Sequence, residues 1–417
     1  MTRALRFMHA ADLHLDAPFK GVDATDPRVR ETLLRSTYSA LDALVDACIE
    51  HAVDFLVVAG DAYNSVDKST RAQLAFQRAM QRLADAGIPA YVAWGNHDPS
   101  SGWTAGIPLP TSVHVFSDSA VERVVWEDGD LSCALYGRSF RRRAETADLS
   151  AGYRRSVDDV LSVGILHTNV GGHVGYGDYA PSTLEGLVSA GMDYWALGHI
   201  HQPEVLLNGQ VSVAYSGCTQ GLDPTQTGRR GAWLVTLSSG AATIEPVDTA
   251  AAVWESRTID AANAAGIEDV RTALAAACDA ARGSEAGRPV LVRIDLTGRS
   301  EAHAQLQHAG VLEDLLADIR EHGMDCEPWV WTDRLRDRTR PAVDLEELRA
   351  SEDFAGDVVR LADELLADPS QAEALVSSLT APLKNKIGTD FNAPDVLEVI
   401  AAARDVALDR LLAEDGR

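Results

Sequence analysis

Five short apolar runs in this 417-residue chain each end on side chains that can bind a metal ion. Leu5–Ala11 leads into Asp12-Leu13-His14, Phe55–Ala59 into Gly60-Asp61, and Ala90–Trp94 into Gly95-Asn96-His97-Asp98. Val163–Leu166 closes on His167, and Tyr194–Leu197 on Gly198-His199-Ile200-His201. The set mixes two carboxylates, an amide and imidazoles, with no thiolate among them. Such donors suit a hydrolytic centre for two hard or borderline divalent ions better than a structural zinc knot. Asp61 is the natural bridging ligand, because a carboxylate has two oxygens and Gly60 lets the backbone turn close to the metals. Asp12, His14 and one imidazole of the GHxH segment would complete one ion. Asn96, His167 and the other imidazole would complete the second. Water bridging two dications has a lowered pKa and can attack phosphorus at neutral pH. His97 points away from its neighbour Asn96 on extended backbone, and Asp98 is placed to hold its ring nitrogen. A positioned imidazolium there would protonate a leaving alkoxide. The expected chemistry is phosphoester hydrolysis.

These ligands need elements that bring them together. Apolar runs of four to eight residues closed by Gly or a polar cluster read as buried strands, and open α/β folds build their sites at strand carboxyl ends. Thr32–Cys48 and Ala72–Leu83 carry apolar residues near helical period and read as intervening helices. Val113–Phe116, Val121–Trp126 and Leu131–Tyr136 read as antiparallel strands. A second β-rich stretch runs over Glu204–Leu207, Val211–Tyr215, Ala232–Leu237 and Ala242–Val247. The expected fold class is α/β, two mixed β-sheets packed as a sandwich flanked by helices, over residues 1–250. A smaller α+β unit over 254–335 would follow: strand Ser256–Ile259, helix Ile267–Ala281, strand Pro289–Leu296, helix Ala302–His322 and strand Glu327–Thr332. Arg334–Pro341 reads as an arginine-rich linker, and 342–417 as a helical C-terminal region.

Composition narrows the class. No apolar stretch approaches a membrane span, and Met-Thr-Arg-Ala running straight into a strand predicts no signal peptide. The scattered cysteines, Cys48, Cys133, Cys218, Cys278 and Cys326, lack any CxxC spacing and read as reduced thiols of a cytoplasmic protein. The net charge of −25 argues against strong non-specific binding of a polyanion by this chain alone. It leaves room for a nucleic acid held at a local positive site or by a partner.

Taken together, Asp12-x-His14, Gly60-Asp61, Gly95-Asn96-His97-Asp98, His167 and Gly198-His199-x-His201 resemble the signature of the calcineurin-like metallophosphoesterases over about the first 240 residues. Three stretches, Leu166-His-Thr-Asn-Val170, Tyr194-Trp-Ala-Leu-Gly-His-Ile-His-Gln202 and Tyr215-Ser-Gly-Cys-Thr-Gln-Gly221, are similar to bacterial DNA-repair exonucleases of the SbcD/YhaO type. The resemblance implies two Mn²⁺ ions, DNA ends as substrate, a DNA-capping domain after the catalytic one, a coiled-coil ATPase partner of the SbcC/YhaN kind, and dimerisation through helices of the first domain. Matched motif by motif, it puts Asp12, His14, Asp61 and His201 on one ion. Asp61, Asn96, His167 and His199 fall on the other, with His97 as acid. Such enzymes often end a GD-x-x-D motif with an acid, where this chain has Asn64, read here as a turn residue.

Arg141 and Arg142, in an arginine triplet, are candidate phosphate contacts. His173 is a further candidate substrate contact, although its Gly-rich loop, with Tyr176, reads more readily as a mobile connection than as groove lining. Arg334, Arg336, Arg338 and Arg340 interleave with acids and read as the solvated face of a linker. Two other functions fit less of the sequence: a general phosphodiesterase or phosphatase for small phosphoesters or nucleotides, which suits the acidity, and a scaffold with a vestigial metal site.

Overall fold

The computed structural model describes residues 3–19, 22, 25–173, 175–238, 242–284, 287–380 and 393–414. The chain opens with β1 (Leu5–Ala10), α1 (Pro27–Glu50), β2 (Phe55–Ala59), α2 (Thr70–Asp85), β3 (Ala90–Ala93) and β4 (Val113–Val115). It continues through β5 (Glu122–Asp128), β6 (Leu131–Gly137), β7 (Leu161–His167), α3 (Leu184–Ser189), β8 (Tyr194–Gly198), β9 (Glu204–Asn208) and β10 (Ser212–Tyr215). Strands β11 (Gly231–Leu237) and β12 (Thr243–Asp248) return to the first sheet. Two six-stranded mixed sheets result, ordered β12-β11-β1-β2-β3-β4 and β5-β6-β7-β8-β10-β9. This is the expected α/β sandwich.

Period-two alternation sorts each strand between two cores. Leu5 and Phe7 of β1 join Phe55, Val163, Ile165 and Tyr194 between the sheets. Met8 and Ala10 turn instead toward Leu41, Leu44, Phe76 and Met80 of the helices. β2 is apolar at every position because both of its faces are covered. Both helices start where their sequence supplies a cap: the Asp26 carboxylate accepts from Arg28 and Val29 N–H ahead of Pro27, and the Ser69 hydroxyl from Ala72 N–H.

One expected pairing is corrected. β4 runs parallel to β3 in the first sheet, while only β5 and β6 form the antiparallel pair expected of this stretch. Three half-buried residues, Val113 to Val115, are too few for alternation to tell an edge strand of one sheet from its neighbour in the other.

His9 sits wholly buried on β1, its Nδ1 3.0 Å from the Tyr194 hydroxyl and its Nε2 3.1 Å from the Leu197 carbonyl. A neutral ring that donates from Nε2 and accepts at Nδ1 satisfies both contacts. Burial pushes its pKa down to about 3. The unfolded chain therefore binds a proton below pH 6.5 that the native protein refuses, so stability is lost as pH falls through the window from 6.5 toward 3. Between pH 7 and pH 4.5 this residue should cost roughly 2–3 kcal/mol. We expect His9→Gln to lose correspondingly less stability than the parent over that interval in urea unfolding. Equal losses would place the acid sensitivity elsewhere.

After the sandwich come β13 (Val253–Asp260), α4 (Ile267–Ser284), β14 (Val290–Thr297), β15 (Arg299–Ser300), α5 (His303–Leu306), α6 (Val311–Met324), β16 (Val330–Asp337) and β17 (Arg340–Pro341). Helices α7 (Leu345–Ala350), α8 (Phe354–Ala367), α9 (Pro369–Thr380) and α10 (Ala393–Glu414) complete the chain. Backbone proximity groups Met1–Ser256, Ala280–Arg293 and Gly323–Asp333 into one compact unit, and Arg257–Asp279, Ile294–His322 and Arg334–Arg417 into another. In the first, Trp254, Leu291, Trp329 and Trp331 pack with Val29 and Leu33 of α1. The helix expected over Ala302–His322 is two helices, interrupted at Gly310, whose φ of 88° leaves the helical region.

Arg334–Pro341 is not a linker. β16 carries through to Asp337, with Arg334 and Arg336 exposed on one side, and Arg340-Pro341 pairs in parallel with Arg299-Ser300. Interleaved acids and arginines at period two are here the two faces of a strand. The arginines neutralise part of the C-terminal acidity: Arg338 Nε lies 3.1 Å from Asp295, Arg340 Nε 3.3 Å from Asp409, and Arg299 Nη2 2.6 Å from Asp405. All five cysteines are free thiols, Cys326 alone of them exposed. Among the described residues no helix is long and apolar enough to cross a membrane.

Candidate metal centre

Each of the five motifs leaves the carboxyl end of a strand: Asp12 and His14 after β1, Asp61 after β2, Asn96 to Asp98 after β3, His167 at the end of β7, His199 and His201 after β8. The turns that aim them inward are strained. Asp12, His14, Asp61 and His199 have φ of 50°, 43°, 52° and 103°, a region costing roughly 1–2 kcal/mol for a side chain other than glycine. Ladder bonds hold them there, Asp12 N–H to Gly60 carbonyl at 3.1 Å and His14 N–H to Asp61 carbonyl at 3.0 Å. The glycines before the ligands serve close packing. A Cβ at Gly60 would fall on the His167 imidazole, and one at Gly95 on both that ring and the Asp61 carboxylate.

The side chains converge in one place. Asp12, His14 and His201 offer ligand atoms within 4.8 Å of one another, as do Asp12, Asp61 and His167. Asp12 is common to these two groups, and Asp61 reaches toward a histidine of each: its Oδ2 lies 3.9 Å from His14 Nε2 and 3.5 Å from His167 Nε2. His167 Nε2 also meets Asn96 Oδ1 at 2.9 Å. The His199 ring stands beside that of His167, centroids 5.2 Å apart. Carbonyls of the surrounding backbone set the tautomers, a common device at metal-binding histidines. His167 donates from Nδ1 to the Ala59 carbonyl at 3.0 Å, leaving Nε2 for a ligand, and His199 from Nε2 to the Gly177 carbonyl at 2.8 Å, leaving Nδ1.

The donor chemistry fits divalent cations. Asp12 and Asp61 are fully or almost fully buried, and among the described residues neither has a lysine or arginine partner. Buried carboxylates without a counter-charge are costly. His14 and His201 bring their Nε2 atoms to 3.1 Å, and among the described residues the buried His14 Nδ1 has no hydrogen-bond partner. Burial raises the Asp12 pKa to about 8 in the protein alone. Burial also pushes Asp61 up, but the His167 charge beside it outweighs this and holds Asp61 well below the usual carboxylate range. Burial lowers and Asp61 raises His167, leaving it at about 9. The two buried carboxylates favour a positive charge at this place.

Two expectations change. Asp98 does not hold His97. Its carboxylate accepts from Gly95 N–H at 2.7 Å and Tyr63 N–H at 3.1 Å, tying the β2 and β3 loops together. The His97 Nδ1 lies instead 2.9 Å from the backbone carbonyl of Asn64, and its N–H donates to Asp61 Oδ1 at 2.8 Å. Asn64, expected to be a plain turn residue, thus orients the proposed acid through its main chain. His97 also lies close enough to His14 and Asp61 to form a third possible ligand group. Arg141 and Arg142 are exposed, with Arg142 facing Glu145, and His173 stands edge-on to the Tyr215 ring. Sequence reasoning overlooked Gln226, whose Nε2 lies 2.7 Å from His201 Nδ1. A glutamine in a Pro-Thr turn carries no spacing signal to mark it.

The family model for calcineurin-like phosphoesterases matches residues 5–203, and that for the middle domain of metallophosphoesterase YhaO matches residues 254–340. An uncharacterized metallophosphoesterase YhaO of Bacillus subtilis (strain 168) is 34% identical over 356 residues, covering 84% of this chain and 85% of that protein. This chain belongs to the calcineurin-like metallophosphoesterases. Like other members, this metallophosphoesterase has the donor set for divalent metal. It is also similar to the SbcD component of the nuclease SbcCD from the same organism, at 24% identity over 51% of this chain and 61% of the relative. The DNA double-strand break repair protein Mre11 of Sulfurisphaera tokodaii is 23% identical over 58% of this chain and 62% of its own length.

Proposed function

We propose that this metallophosphoesterase is a DNA nuclease that binds two manganese ions and acts with an ATPase partner. Asp12, His14, Asp61 and His201 would hold one ion, and Asp61, Asn96, His167 and His199 the other. Bound divalent ions would supply Lewis-acid polarisation of the phosphate and a water of lowered pKa. The observation that carries the reading is the placement of His97. Its Nδ1 is engaged by Asn64, its ring is only half-buried, and it stands 4.8 Å from the His14 ring, so Nε2 is left to face a substrate. A proton donor at that atom matters most for a poor leaving group such as a deoxyribose oxygen. The relatives whose names specify a nuclease and double-strand break repair support DNA as the substrate class. The net charge of −25 favours the second reading, a phosphodiesterase for small esters, unless a partner holds the polyanion.

The test uses the purified chain with Mn²⁺ on linear duplex, single-stranded DNA and bis-p-nitrophenyl phosphate, with and without the candidate ATPase. Turnover of the small ester with no DNA cleavage under any condition would overturn the nuclease reading. His97→Ala should lower DNA cleavage by about 10²–10⁴-fold and the ester with its good leaving group far less, at unchanged metal content by elemental analysis. Parallel loss of metal would make His97 a ligand.

A further inference from the structure

The Gly-rich loop after β7 is no loose connection. Its base is clamped: Thr168 Oγ1 donates to the Ala180 carbonyl at 2.7 Å, Asn169 N–H to Tyr179 at 3.2 Å, and Gly171 N–H to Ser182 at 3.1 Å. Asn169 braces the interior, its Oδ1 accepting from His173 N–H at 2.8 Å. The far side of the loop returns over the metal-binding histidines, where the Gly177 carbonyl meets His199 and the Tyr176 ring lies 5.8 Å from His199 and 5.7 Å from His201. The Tyr176 oxygen accepts the His201 backbone N–H at 3.3 Å. An oxygen that accepts there must send its own proton elsewhere, and among the described residues that proton has no acceptor. The residue is half-buried.

We propose that the Tyr176 hydroxyl is a substrate-positioning donor, giving its hydrogen bond to a non-bridging oxygen of the phosphate held against His199 and His201. A phenol suits this place. It is neutral at physiological pH, so it adds no charge to compete with cations bound by the same imidazoles. A donor fixed before the substrate arrives needs no reorganisation as charge develops on the phosphate oxygens. The loop then has a reason for its construction: glycines at positions 171, 172 and 175, with φ of 71°, 73° and 92°, fold the segment back over the site, while Asn169 keeps it from swinging out.

The inference rests on the phosphoesterase reading but not on DNA as substrate, and its test separates the two. Tyr176→Phe keeps the ring and removes only the donor. In the full chain loaded with Mn²⁺, kcat for bis-p-nitrophenyl phosphate should fall about 10- to 100-fold, with KM changed less and metal content unchanged. Inorganic phosphate, titrated calorimetrically into the metal-loaded protein, should bind several-fold more weakly to the variant. Tyr176→Leu should lose no less than Tyr176→Phe, because the hydroxyl and not the ring carries the effect. Unchanged kcat and phosphate affinity in Tyr176→Phe would overturn the proposal. A parent protein that cleaves the ester but not DNA removes the nuclease reading alone. One that cleaves neither removes the phosphoesterase reading, while the phosphate titration still judges the phenol.

Discussion

Asp61→Asn is expected to leave a folded protein that holds little metal and turns over phosphoesters at least about a thousand-fold more slowly, a larger loss than those typical of outer-shell partners. The side chain lies between candidate ligands of both proposed ions, its Oδ2 facing His14 and His167 and its Oδ1 accepting the His97 N–H. An asparagine can retain the bond to His97 N–H through its own carbonyl oxygen, so the β3 loop keeps its anchor. What it cannot retain is the charge. Without that carboxylate the centre has Asp12 as its nearest acid, and His167 loses the partner that draws positive charge to it. Elemental analysis, circular dichroism and turnover of one phosphodiester, measured on the same preparation, check all three parts. A variant with full metal occupancy and activity within ten-fold of the parent would show that Asp61 is not shared between two ions.

Much of this was legible because a catalytic sandwich of this kind writes its ligands at strand ends. Apolar runs announce buried strands, and polar clusters closing parallel neighbours emerge at the same end of their sheet, β1 to β3 in one and β7 and β8 in the other. The candidate ligands thus follow from spacing before any contact is known. The hidden features are those carried by the main chain. Nothing in the side chain of Asn64 says that its carbonyl will orient His97, and Asp98, adjacent and acidic, looked the better partner. A bond from a backbone N–H in another strand's loop is invisible to local reading, yet the Asp98 carboxylate accepts from Tyr63 N–H after β2 as well as from Gly95 N–H of its own loop. Arg334–Pro341 misled for the opposite reason. Charge density at period two is equally a solvated linker and a strand with one exposed face, and only pairing with Arg299-Ser300 decides. The Gly-rich loop shows the same limit, since glycines that permit motion also permit a tight fold against His199.

The strictest constraint at the site is volume, and Gly60→Ala should show it. Two costs combine there. The φ of 95° is unfavourable for alanine, and its methyl would occupy space filled by the His167 ring. Gly87 separates them, because its φ of 75° is similar while nothing lies within 4 Å of an added Cβ. Gly87→Ala should therefore cost about 1 kcal/mol, from backbone alone. Gly60→Ala should cost about 3–5 kcal/mol, the range reached by overpacking a closed core together with a strained turn. It should also lose metal, since His167 can move only by breaking its bond to Ala59 and leaving Asn96 and Asp61. Denaturant unfolding of both variants gives the comparison, and His167→Ala in the Gly60→Ala background completes it. With the imidazole gone the methyl has room, so the second substitution should restore part of the lost stability while activity stays absent. If Gly60→Ala proves no worse than Gly87→Ala, or His167→Ala only adds to the damage, then the glycine is kept for its turn and not for the ring packed against it.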